Sequence, residues 1–236
     1  GRSKISQIFK CKFGGFKIKR FYLLKPLIFF KIFLLLITGC SYKSTFDSNF
    51  YCEKLNLGCI NKNQIVEFKT SKGNFDVQLD GKNKPVTASN FIQNVKKNIY
   101  KDKSFYKIIN FPQVKVIYSG IYPENNNYKK ENQNLNKLRR NIPLEIKLKK
   151  EIEPKYNYQI VDPSEITNIT NFFEKGSLAM VKSGERNSSS TEFFFVTNKF
   201  PELDGRYSIF GKVVKGIEIL QEIDKEDLIY EIIISN

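Results

Sequence analysis

Gly176-Ser-Leu-Ala-Met-Val181 opens the stretch whose reading decides the fold. After a polar loop to Thr191 come Glu192-Phe-Phe-Phe-Val-Thr197, Leu203-Asp-Gly-Arg-Tyr-Ser-Ile-Phe-Gly211 and Lys212-Val-Val-Lys-Gly216. Three short apolar runs punctuated by Gly, Asn, Ser and Asp-Gly are the pattern of a compact antiparallel β unit. Neighbouring strand residues face opposite sides of a sheet, so Phe193 and Phe195 share one face, read as core, and Phe194 takes the other.

Working outward, Ile65–Thr70 and Gly73–Leu79 both alternate, with Phe75, Val77 and Leu79 on one face and Ser71-Lys72-Gly73 as the turn. They predict a β-hairpin. From Pro85 the period changes, and Val86 or Ser89, Phe91, Ile92, Val95 and Ile99 fall on one helical face. This predicts an amphipathic helix lying on the sheet. Lys103–Ile109 and Val114–Ser119 read as strands, Ile142–Leu148 as another, Ile217–Ile223 as a short helix and Leu228–Ser235 as a closing strand. Residues 124–141 form an Asn- and Lys-rich polar insertion, whose Lys129, Lys130, Lys137, Arg139 and Arg140 suit either a solvated loop or an anionic lipid surface. The whole reads as a mainly β fold, an antiparallel barrel capped by two helices, although periodicity alone does not separate it from an open α+β sandwich.

The formal charge of +15 is concentrated at the start of the chain. Residues 1–39 hold nine basic side chains and no acidic one, leaving 30 of the 39 basic residues against 24 acidic. With that segment set aside, little supports nucleic-acid binding. The chain contains no His, which excludes Ser-His and Cys-His nucleophile systems and His-ligated metals. The basic segment ends in the apolar run Leu27–Ile37 and then Thr38-Gly39-Cys40, the layout of a secretory signal. Lys31 interrupts a run already short of the roughly 20 residues that span a membrane.

Ile37-Thr38-Gly39-Cys40 resembles a bacterial lipobox, which implies a signal peptide over residues 1–39 and lipid attached at Cys40. Residues 40–63 then read as a polar tether to a domain at 64–236. An exported chain leaves Cys52 and Cys59 free to pair or to remain as thiols.

Val66-Glu-Phe-Lys-Thr70, Pro85, Asn90-Phe91, Ser104-Phe-Tyr106, Gly176-Ser-Leu-Ala-Met180, Phe193-Phe194, Leu203-Asp-Gly205 and Phe210-Gly211 fall in the order and spacing of a cyclophilin domain. The domain resembles that family over about residues 64–236. The resemblance implies a closed eight-stranded antiparallel barrel capped by two helices. It also implies peptidyl-prolyl cis-trans isomerase activity on exposed proline segments, without cofactor or metal, by a chain taken as a monomer.

Such an enzyme stabilises the twisted Xaa-Pro bond against a resonance barrier of roughly 18–20 kcal/mol. In the family an arginine donates to the prolyl nitrogen, a glutamine and backbone groups hold the carbonyl side, and an apolar pocket grips the ring. The matching positions here carry Lys107, Tyr118 and Glu192 as the catalytic set, and Met180, Phe194, Leu203, Tyr207 and Phe210 as the substrate-binding set. Lysine lacks the planar fork of arginine, so slower catalysis is expected. Lys107 also has the option of pairing with Glu192. Val181-Lys182 follows Met180 where many members have Ala-Asn.

Overall fold

The computed structural model describes residues 47–121 and 141–235. The signal segment, Cys40 and nearly all of the 124–141 insertion lie outside the described residues.

Twelve strands and four α-helices are described, with a 3-10 turn at Pro201–Leu203 between the tenth and eleventh strands. In chain order these are α1 (Ser48–Lys54), β1 (Gln64–Thr70), β2 (Gly73–Leu79), α2 (Pro85–Lys96), β3 (Lys103–Ser104), β4 (Lys107–Asn110) and β5 (Lys115–Ser119). They continue with β6 (Asn141–Pro143), β7 (Glu145–Ile146), β8 (Lys155–Tyr156), α3 (Pro163–Ile166), β9 (Ser177–Lys182), β10 (Asn187–Val196), β11 (Ile209–Lys215), α4 (Ile219–Glu222) and β12 (Leu228–Ile234). The main sheet runs β3-β12-β1-β2-β11-β9-β10-β5-β4, with β6 added beside β10. β3 and β4 are two parts of one segment, Lys103–Asn110, so the order curls through eight antiparallel strands and returns to the segment where it began. Ile142–Leu148, expected as one strand, is divided: β6 joins β10, while β7 pairs β8 in a separate two-stranded sheet.

Strand alternation fills the interior. Val66 and Phe68 of β1 and Phe75, Val77 and Leu79 of β2 point inward with Leu178, Met180, Phe193, Phe195 and Phe210. The rings interlock, with Phe68 stacked on Phe75 at 4.9 Å and edge-on to Phe195 at 5.5 Å. α2 closes one end, placing Phe91 5.5 Å from Phe193 and 5.2 Å from Phe210. Its Asn90 and Asn94 amides both donate to the Ser190 carbonyl, at 2.7 and 2.6 Å, pinning the point where β10 shifts register against β9. At the other end α4 is a single turn, shorter than the 217–223 expected, and it buries Leu220.

α2 is buried almost all round, from Pro85 to Val95 with Gln93 excepted, rather than on one face. The cause is the segment before β1. Residues 47–63, expected as part of a tether, hold α1, capped by the Asp47 side chain, and pack Tyr51, Cys52 and Leu57 against Val86. Cys52 and Cys59 form a disulfide with Cα atoms 5.8 Å apart. The Ile60 amide donates to Ser89 Oγ at 2.8 Å, and Gln93 Nε2 to the Asn56 carbonyl at 3.1 Å. The segment's few apolar anchors are too sparse to show a period, which hides the packing from the sequence.

A second brace reaches the start of α2, which has no side-chain cap of its own. The fully buried Glu145 on β7 accepts the Val86 and Thr87 amides at 3.2 and 2.8 Å, and the Tyr156 hydroxyl at 2.9 Å. A carboxylate suits the positive end of a helix. Lys84 lies beside it, 2% exposed, and burial pulls its ammonium down to about 8 against the attraction of Glu145 and Asp80. Replacing Cys52 and Cys59 together with alanine opens the loop that holds α1 in place. It lowers the unfolding free energy by about 2 kcal/mol, measured from the shift of the urea midpoint.

Candidate active site

The register of four strands sets one row across the outer wall of the barrel. Lys107 on β4 pairs Tyr118 on β5, Tyr118 pairs Phe194 on β10, and Phe194 pairs Ala179 on β9. Each residue stands on the face opposite its inward-pointing neighbours, so the row forms a continuous outer strip. The Lys107 ammonium lies 5.4 Å from the centre of the Tyr118 ring. Tyr118 stacks on Phe194 at 5.4 Å, and Tyr207 meets Phe194 edge-on at 5.3 Å. Ala179 adds little bulk beside Phe194, and Phe173 stacks there at 5.7 Å and 14°.

This outer cluster has two layers. Phe173, Ala179, Phe194, Val196, Val114, Val116 and Ile209 are buried, while Ile109, Tyr118, Val181, Phe200, Leu203 and Tyr207 are partly exposed over them. Phe194 is only 1% exposed. It supports the groove from beneath, and the accessible apolar surface belongs to Tyr118, Leu203 and Tyr207.

Leu203-Asp204-Gly205 builds one wall. The Asp204 carboxylate accepts the Phe173 amide at 2.7 Å, which ties the loop carrying Phe173 under the groove. Burial raises this carboxyl despite that bond. Gly205 has φ +73°, and a Cβ there would run into the Ile160 carbonyl oxygen, so glycine is required by both conformation and space. Glu192 reaches the groove because Ser189 Oγ accepts the Thr191 and Glu192 amides, at 3.2 and 3.1 Å, in the irregular part of β10. Its carboxylate accepts the Tyr106 hydroxyl at 3.0 Å.

The structure thus brings together Lys107, Tyr118, Phe194, Leu203 and Tyr207, with Glu192 beside them. Lys107 and Glu192 are not paired with each other; the lysine lies over Tyr118 instead. Met180 and Phe210, expected in the substrate wall, stand elsewhere. Both are fully buried inside the barrel, because Met180 pairs the inward Phe193 and Phe210 packs on Phe91. A ligand on the outer strip does not reach them. Phe173 and Tyr106 were not singled out from sequence for the site. Phe172-Phe173 three residues before Gly176 was the available signal for the first. Burial pushes the Tyr118 and Tyr207 phenols up, keeping both protonated at neutral pH. Among the described residues no group of three or more His, Cys, Asp or Glu is placed to hold a metal ion.

Together these features define an eight-stranded antiparallel β barrel whose candidate site is on its outer wall rather than in its lumen. Residues 65–233 match the family of cyclophilin type peptidyl-prolyl cis-trans isomerases, and the chain belongs to that family. A Synechocystis protein assigned as a thylakoid lumen peptidyl-prolyl cis-trans isomerase is 31% identical over 198 residues, 75% of this chain. The match spans 48%, about half, of that relative's length. A peptidyl-prolyl cis-trans isomerase of Acinetobacter baylyi is 29% identical over 168 residues, covering 68% of this chain and 72% of its own. Among solved structures, a cyclophilin from Hirschia baltica aligns with a TM-score of 0.52 at 14% identity over 79% of each chain. A cyclophilin type isomerase of Cryptosporidium parvum gives 0.50 at 22% identity, over 74% of this chain and 98% of its own. The latter was also solved in the presence of the dipeptide Ala-Pro. At these identities the structural likeness speaks for the fold alone.

Phe173 is buried between the Asp204 loop and Phe194. Phe173→Ala is expected to lower the unfolding free energy by about 3 kcal/mol or more, read from urea denaturation, and to raise the accessibility of Phe194.

Proposed function

We propose that the chain is a peptidyl-prolyl cis-trans isomerase for exported proteins, slowed by the lysine at position 107. The observation that carries this reading is the outer row, which sets the Lys107 ammonium beside an apolar surface of Tyr118, Leu203 and Tyr207.

The chemistry needs little more. As an Xaa-Pro bond twists, amide resonance is lost and the prolyl nitrogen regains its lone pair. An ammonium donor stabilises that pair in the twisted state more than in either planar state, which is what lowers a barrier. A protonated Tyr118 hydroxyl is a suitable donor for the carbonyl oxygen of the residue before proline, in place of the family's glutamine. The apolar surface holds the proline ring. Glu192 acts through Tyr106, whose hydroxyl it fixes near the Lys107 strand. The Ala-Pro dipeptide present with the Cryptosporidium parvum relative is consistent with proline peptides as the ligand class.

The near-complete burial of Phe194 favours a second reading, a cyclophilin-fold module that binds peptides without turning them over. NMR exchange on a panel of Xaa-Pro peptides separates the two. The expected result is weak catalysis, reduced to background by Lys107→Ala and raised on the order of tenfold by Lys107→Arg, equivalent to about 1.4 kcal/mol of barrier. Peptide-dependent shift changes without exchange enhancement for any peptide would favour the module.

Export is supported by the signal-like residues 1–39, by the Cys52–Cys59 disulfide, which suits an oxidising compartment, and by the lumenal assignment of the Synechocystis relative. We place the lipid on Cys40, so metabolic labelling with a radioactive fatty acid should mark the chain and be lost in Cys40→Ser. Label retained by that variant would remove the anchor from the proposal.

A further inference from the structure

We infer that the groove selects proline segments carrying an acidic side chain next to the proline, read by Lys107 and Lys182. The inference rests on the proline-peptide reading of the groove and adds a substrate class to it.

Two tyrosines flank Phe194, and each has a lysine ammonium over its ring. Lys107 Nζ is 5.4 Å from the Tyr118 centroid, and Lys182 Nζ is 5.8 Å from the Tyr207 centroid. The ring faces attract these cations without neutralising them. Ion pairs between described residues, such as Lys69–Glu231 and Lys212–Glu174, lie elsewhere, and neither Lys107 nor Lys182 takes part in one. Each ammonium therefore keeps its outward side for a further partner.

Among the described residues, the other charged groups beside the groove do not pair with these two ammoniums. Arg206, exposed and next to Tyr207, adds a third cation whose charge acts on the Tyr207 hydroxyl. Glu192 is engaged by the Tyr106 hydroxyl, and the buried Asp204 by the Phe173 amide. Exposed Glu202, next to the wall residue Leu203, and exposed Glu185, three residues beyond Lys182 and followed by exposed Arg186, are the other described carboxylates near these residues in sequence. A proline ring resting on Tyr118, Leu203 and Tyr207 sends its two chain neighbours out past the two tyrosines, towards the lysines above them. A carboxylate at either neighbour meets an ammonium, whereas a lysine there is repelled.

The test uses the full chain and blocked peptides matched except for Glu, Gln or Lys immediately before or after the proline. Affinity is read by chemical-shift titration and turnover by NMR exchange. Glu peptides should bind about fivefold more tightly than Gln peptides at about 20 mM salt, with Lys peptides weakest, and the spread should collapse near 0.5 M salt. Lys107→Gln and Lys182→Gln should each bring the Glu-to-Gln ratio towards one. Equal affinities, a reversed order, a spread that both variants leave intact, or no binding by any peptide would overturn the inference. Ordered binding without exchange would instead retain the charge selection and remove the isomerase reading, so the two failures are distinct.

Discussion

Strand alternation in Phe193-Phe194-Phe195 is the constraint on which both halves of the molecule depend. Two of the three rings must point into the barrel, where they meet Phe68, Phe91 and Tyr100, and the third must point out. A one-residue slip of β10 would exchange the faces, leaving one ring inside and two outside. The register is held from both sides. Asn90 and Asn94 of α2 grip the Ser190 carbonyl where β10 is irregular, and pairing with β5 fixes Phe194 against Tyr118. Core packing and the outer site are therefore set by the same hydrogen bonds, and the row from Lys107 to Ala179 follows from them.

Much of the barrel was legible because its strands bury one face and its helix shows a period. Phe75, Val77 and Leu79 point inward as their alternation predicts, and α2 begins at Pro85. The site was less legible because proximity in a motif does not specify a face. Met180 lies one residue from Ala179 and Phe210 one residue from Ile209, yet each of these neighbours takes the opposite side of the wall. Lys107, Tyr118 and Phe194 could be aligned from sequence, but their stacking order and the covering of Phe194 by Phe173 depend on a contact between distant segments. Sequence also hid α1, whose hold on the domain rests on a disulfide and three buried side chains rather than on periodicity.

The groove's charge and its aromatic surface are coupled in a way that neither residue type shows alone. Lysine lacks the planar fork of arginine, and the compact Lys107 ammonium settles over Tyr118, whose ring is stacked on Phe194. Lys182 repeats the arrangement on Tyr207. The same stack that buries Phe194 thus presents two cations at the rim. In the proposed reading the same ammonium serves both the twisted amide and an acidic neighbour, so charge recognition and turnover are both tied to position 107.

Glu145 shows how the region outside the barrel is joined to it. Burying a carboxylate is costly, and its raised pKa reflects that cost. The cost is offset because α2 begins with unfilled amides and no cap of its own, so the carboxylate brings hydrogen bonds that the helix would otherwise lack. Tyr156 and Ser48 extend the chain of bonds from β8 to α1. One buried carboxyl group therefore links the segment after the insertion, the helix that fixes β10 and the disulfide-bearing N-terminal turn. The strand that places Phe194 is held, through α2, by residues far from the groove, and a change at Glu145 would reach the site by loosening Ser190 rather than by touching a ligand.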